Sequence, residues 1–229
     1  MKGSIASTGR RRSRRAVLTL AGAALLGASV LAGAGPAGAS AENFGCTSAA
    51  FSQVMNGHLV APTGQANPSY TPCRSDDNDL TSLVPIGVIP GLITYRISPW
   101  EDYTRFDPPS PSAPQEYAEA SATVGHVQIL LLGRVIVDVS QAESYVVGSA
   151  CGQANWQTGT GRMAIGGQVV DATSQSQTVP LPNGQTLVTN VHGQSGNTAW
   201  ADALEILDAN HNVVTVIARS LVQMPGSCG

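Results

Sequence analysis

The chain beyond residue 41 is expected to fold as an all-β protein, an antiparallel β-sandwich or barrel-like arrangement of two packed sheets. Three observations carry that expectation. Helix-forming residues rarely fall into a 3.6-residue period. β-Branched apolar residues alternate instead, as Val127, Ile129 and Leu131 do, followed by Val135, Val137 and Val139. Finally, Val213–Val222 is apolar on both faces, which requires a covered sheet.

Residues 1–41 read as an export signal. Arg10–Arg15 (RRRSRR) precede an apolar run from Ala16 to Ala34 that closes with small residues. Ser13-Arg14-Arg15-Ala16-Val17-Leu18, with a Gly/Ala-diluted apolar core behind it, is similar to the bacterial twin-arginine signal, so Arg14 and Arg15 are the expected export determinants. An ordinary secretory signal with an Arg-rich start is the alternative. Two cleavage sites fit, Ala37-Gly38-Ala39 before Ser40 and Ala39-Ser40-Ala41 before Glu42, and the second is preferred. The glycines in the run argue against a retained membrane helix, and no membrane association is expected after processing.

Loss of the leader removes Lys2 and five arginines, so six basic residues face all 15 acids and the net charge becomes about −9. Nucleic-acid binding, which needs clustered positive charge, is therefore disfavoured. No lysine follows residue 2, which excludes Schiff-base chemistry and a P-loop lysine. Residues 42–229 suit a single secreted domain.

Taken in order, residues 42–106 are expected to be irregular, with Leu83–Ile97 (LVPIGVIPGLITYRI) cut by Pro85 and Pro90 into edge strand or extended chain. Residues 107–114 (DPPSPSAP) form a stiff connection. Thr123–Val139 gives strand on either side of Gly133, which marks a bend, a bulge or a turn. Met163–Asp171 is a strand weakened by Gly166 and Gly167, and the polar ATSQSQ behind it is a loop. Asn183-Gly184 signals a hairpin, Leu187, Val188 and Val191 a strand, and HGQSGNT (192–198) a turn. Trp200–Asp208 is the next strand, and Ala209–Asn212 turns the chain into Val213–Val222.

Four cysteines without a Cys-x-x-Cys pair indicate two disulfides in an oxidising compartment. Three pairings are open to them. Cys46 and Cys73 share the irregular N-terminal part, whereas Cys151 and Cys228 each follow a long strand pattern, which tilts the choice to Cys46–Cys73 and Cys151–Cys228.

Candidate sites each meet a simpler explanation. Gly193-Gln194-Ser195-Gly196 loosely resembles the nucleophile loop of trypsin-like proteases, but two positions fail, and the candidate base His126 and acid Asp138 sit inside strand patterns. His58, His126, His192 and His211 have no ligand spacing. Asp76-Asp77-Asn78-Asp79 offers hard oxygen ligands for calcium, without the glycine and glutamate of an EF-hand. Glu101/Asp102 and Asp202/Glu205 are carboxylate pairs of the kind glycoside hydrolysis uses, but 202 and 205 fall on opposite faces of a regular strand. No metal or cofactor is expected. Trp100, Trp156 and Trp200, with Tyr95 and Tyr103, remain as possible stacking platforms for a glycan.

AEASATVGHVQILLLGRVIVDVSQAESYVVGSAC (Ala118–Cys151) resembles the alanine-rich lead-in, strand pair and terminal cysteine of the choice-of-anchor family, P type. LPNGQTLVTN, ADALEIL and VVTVIARSLVQMPGSC resemble its Leu-Pro-Gly turn, Ala-Leu strand and last strand ending at cysteine. The likeness spans residues 118–228. It implies a secreted bacterial protein without a defined activity. This chain ends at Gly229 with no sorting signal or anchor helix, a departure that speaks against wall attachment. The expectation is a secreted, disulfide-stapled, non-enzymatic protein of the cell envelope or exterior. Its ligand and partner stay open, with an envelope component or a glycan as candidates, and a glycan-binding module and then a hydrolase are the alternatives.

Overall fold

Alternation of small or apolar residues with polar ones turns almost the whole domain into strands. A computed structural model describes residues 43–81, 84–89, 93–111, 115–170 and 175–226. The export signal with Arg14 and Arg15, both cleavage sites and Cys228 lie outside the described residues.

Among the described residues seventeen antiparallel strands form three sheets. The first runs β14 (Thr178–Pro180), β15 (Thr186–Ser195), β16 (Thr198–Leu207), β17 (Val213–Gln223), β1 (Gly45–Met55), β2 (His58–Ala66). The second runs β11 (Ala154–Thr160), β10 (Ala142–Ser149), β7 (Tyr117–Val124), β6 (Trp100–Asp107), β3 (Asp76–Leu80). The third runs β13 (Gln168–Val170), β12 (Met163–Ile165), β9 (Arg134–Val139), β8 (Val127–Leu131), β5 (Ile93–Ile97), β4 (Val84–Ile89).

The second and third sheets run in a matching strand order because four of their strand pairs are halves of single long strands. Chain leaves β5 for β6, β7 for β8, β9 for β10 and β11 for β12 within two residues each time. Hydrogen bonding continues across this crease, from Ser98 N to His126 O at 3.0 Å and from Gly125 N to Pro99 O at 2.7 Å. Farther along it, Ser140 N donates to Arg162 O and Gly161 N to Gln141 O. Gly125 is required here, since a Cβ would meet Pro99 Cδ at 2.7 Å. In place of the expected pair, three antiparallel sheets pack together, the second and third continuous across this crease, and the assembly is not a closed barrel.

A matching irregularity crosses the first sheet. Asn190, Ala203, Ala218, Ala50 and Gly64 occupy one row, and Asn190, Ala218 and Gly64 take φ of 53°, 51° and 64°. Left-handed backbone in alternate strands shifts the in-out alternation, so Ala203 and Leu204 both point into the core although they are consecutive. At Gly64 the indole of Trp100 occupies the place of a side chain, with Nε1 2.6 Å from a would-be Cβ.

Two cores follow from residue size. Between the first and second sheets the contacts are small, with Ala118, Ala120, Ala199 and Ala201 packed beside Cys46, Val146 and Val222. Between the first and third sheets they are large, with Phe51, Tyr95, Ile129, Leu187, Leu204 and Ile217 enclosed and the Phe51 and Tyr95 rings 5.0 Å apart. Each such large side chain contributes roughly 1.5–3 kcal/mol on burial.

The described part of residues 42–106, expected to be irregular, holds β1 to β5 and most of β6. β1 was illegible because GCTSAAFSQVM is small and polar, yet both of its faces are buried from Gly45 to Ser52. Gly133 makes the turn between β8 and β9, and Gly166-Gly167 the turn between β12 and β13 rather than a weak point in one strand. The turn expected over 192–198 narrows to Gly196-Asn197, because β15 runs on to Ser195. Cys46 and Cys73 form the expected disulfide, with Cα atoms 4.9 Å apart. Cys151 is also disulfide-bonded.

Candidate functional site

On β7, β10, β11 and β6 the inward positions are Ala, Val and other core residues, so the alternate residues face outward from the second sheet. Register aligns these outward residues in rows across four strands. Tyr103, Ser121, Tyr145 and Gln157 form one row, and Arg105, Glu119, Val147 and Asn155 the next. Glu101, Thr123 and Glu143 flank them on one side, Asp107, Tyr117 and Ser149 on the other.

Two shallow depressions lie in line along β10, each of about 110 Å³. The first is lined by Gln115, Tyr117, Val147, Ser149, Gln153 and Asn155. The second is lined by Ser121, Thr123, Glu143, Ser144, Tyr145 and Gln157. Ser149 Oγ is enclosed and has no hydrogen-bond partner among the described residues.

Tyr145 donates its hydroxyl proton to Glu119 Oε2 at 2.8 Å. Burial, and then the Glu119 charge, push the Tyr145 and Tyr103 phenols up, so both stay neutral and keep a proton to share. Arg105 pairs with Asp107 at 2.6 Å and reaches Glu119 at 4.0 Å. Among the described residues the face therefore combines flat rings, amides, hydroxyls and a surplus of carboxylates over Arg105.

The tryptophans do not share a surface. Trp100 is 7% exposed and its Nε1 donates to Asn78 Oδ1 at 3.2 Å inside the sandwich. Trp156, 37% exposed, stacks on His192 at 5.1 Å. Trp200 lies over Gly193, the neighbour of His192 on β15 and hence on the other face of that strand.

The candidate catalytic groups are dispersed. His126 Nε2 lies 3.1 Å from Asp138 Oδ1, and Gln128 donates to Asp138 Oδ2 at 2.8 Å, which with His126 lowers the Asp138 pKa. Ser195 closes β15 in the first sheet, whereas Asp138 is on β9 of the third and His126 lies in the link between β7 and β8 rather than inside a strand, so no triad forms with Ser195. Asp202 and Glu205 require a correction: the shifted alternation at Ala203 and Leu204 places both carboxyls on the same side of β16, where they share a hydrogen bond. Burial first, then Asp202, pushes Glu205 up to about 8. Arg219, directly opposite Asp202 on β17, claims the Asp202 carboxylate.

Strand alternation likewise separates the acidic run Asp76–Asp79. Asp76 Oδ2 accepts from Asn67 N at 2.6 Å, while Asp77 and Asp79 are exposed. Among the described residues no group of three or more His, Cys, Asp or Glu is arranged to hold a metal ion.

Sequence reasoning selected the tryptophans with Tyr95 and Tyr103 as the ligand platform, of which only Tyr103 lies on this face, and it missed Tyr117 and Tyr145. Their signal was the polar half of an alternation, YAEASATV and AESYVVGS, which reads only as solvent-facing until register aligns it. The chain matches no protein-family model, no curated protein and no solved structure.

Proposed function

We propose that the chain is a secreted, disulfide-stapled, non-enzymatic protein of the cell envelope or exterior, and that it works by binding a glycan. The observation that carries the reading is the polar, tyrosine-bearing face of the second sheet with its two aligned depressions. The Cys46–Cys73 disulfide between β1 and the loop behind β2 agrees with folding in an oxidising compartment. The Arg-rich, Gly/Ala-rich leader and the resemblance of residues 118–228 to the choice-of-anchor P type point the same way. A hydrolase is less well supported, because the pairs named for catalysis are tied into ion pairs and hydrogen bonds on separate sheets.

Fractionation of the producing cells tests the reading. The protein should appear in the envelope or the medium with its thiols oxidised. Recovery in the cytoplasm with free thiols would refute it.

A further inference from the structure

Building on the glycan-binding reading above, we infer that the ligand is an uncharged polysaccharide laid along β10, bridging both depressions, with Tyr145 and Gln157 as its principal contacts. Length is the first argument. The line of outward residues from Glu143 to Ser149 on β10 spans six residue steps, or about 20 Å of strand. That is longer than one sugar ring, so the site suits a chain of sugars rather than a monosaccharide.

Chemistry of the lining is the second. Sugar rings offer apolar faces to aromatic planes and hydroxyls to amides, carboxylates and phenols. Tyr117 and Tyr145 supply planes, one in each depression. Asn155, Gln157 and Glu143 supply hydrogen-bonding edges on either side.

Charge is the third. Glu101, Asp107, Glu119 and Glu143 lie outward on this face, and Arg105, the one outward cation among them, is already held by Asp107. An anionic polymer would meet uncompensated like charge at close range, which is unfavourable. A neutral polymer would not.

Affinity electrophoresis of the exported protein in gels containing dextran, mannan, galactan or mixed-linkage β-glucan, with polygalacturonate as the anionic probe, tests the inference. At least one neutral polymer should retard the protein, and polygalacturonate should not. Tyr145→Ala and Gln157→Ala should each weaken the retarding interaction at least about tenfold, as the loss of an anchoring contact does, while Trp156→Ala leaves it within about twofold. Thermal melts of the three variants establish that they fold, and Tyr145→Phe, which keeps the ring, should lose less than Tyr145→Ala. Retardation by a neutral polymer that ignores Tyr145 and Gln157 but depends on Trp156 overturns the assigned site and leaves the glycan-binding reading standing. Retardation by polygalacturonate alone overturns the ligand class. If no polymer retards the protein, both the inference and the glycan reading fail.

Discussion

Arg219 and Asp202 face each other across β17 and β16 in a two-pronged ion pair, with Nε 2.6 Å from Oδ1 and Nη2 2.7 Å from Oδ2. Asp202 is fully buried, and Glu205 adds a second carboxyl to the same group. Removing one partner of such a pair leaves the other charge enclosed without compensation. Arg219→Met is therefore expected to lower unfolding stability by about 3–5 kcal/mol. Urea titration of the variant against the parent chain checks this, and an unchanged midpoint would show the pair to be dispensable.

Asp102 points from β6 into the sandwich beside Gly64 and Trp100. The amides of Ala50 and Thr123 lie toward its carboxyl, but neither oxygen is hydrogen-bonded among the described residues. Burial pushes this acid up to about 9. An unfolded Asp titrates near 4. Between about pH 4 and pH 9 the native state therefore holds a proton that the unfolded chain has lost, and stability falls as pH rises through that window. Glu205, pushed up to about 8, acts with the same sign. Asp102→Asn should raise the melting temperature most at pH 8 and little at pH 4, so that the slope of stability against pH becomes shallower. Equal effects at both pH values would contradict a protonated Asp102.

The Cys46–Cys73 bridge closes 27 residues of chain. In the chain-entropy account it contributes roughly 3.5 kcal/mol. Replacing both cysteines by alanine should lower stability by about that amount, measured by denaturant melts. Non-reducing peptide mapping provides an independent check: the tilt toward local pairing expects Cys151 with Cys228, and a peptide joining Cys46 or Cys73 to either of those contradicts it.

Export is expected to depend on the twin-arginine pair. Replacing Arg14 and Arg15 together by lysine should block export through that route while leaving a general secretory route usable. Immunoblots of the medium and of cell extracts decide between them, and normal secretion of the variant would assign the leader to the general route.

Legibility from sequence followed side-chain size. β8, β9 and β17 were readable because Val, Ile and Leu alternate or run continuously there. β1 was not, because a tightly spaced pair of sheets selects Ala, Ser, Thr and Gly, whose pattern resembles loop composition. The break at Gly125-His126 and the row of left-handed residues were also hidden. Ala218 at φ 51° carries no local signal, since tertiary contacts hold an alanine where glycine is the usual choice. That hidden row is the reason Asp202 and Glu205 meet against the expectation from a regular strand. The tyrosine face was invisible for another reason: its residues come from separate strands, and only their register brings Tyr103, Ser121, Tyr145 and Gln157 into line.

The central claim is that the outer face of the second sheet is the working surface of an extracellular binding protein. Returning purified protein to washed envelopes of the producing cells tests it most directly, with the bound fraction measured by sedimentation. The account predicts that the parent chain rebinds, that a soluble neutral polysaccharide from the same envelope competes it off, and that the folded double variant Tyr145→Ala/Gln157→Ala stays in the supernatant. Equal sedimentation of parent and double variant would contradict it.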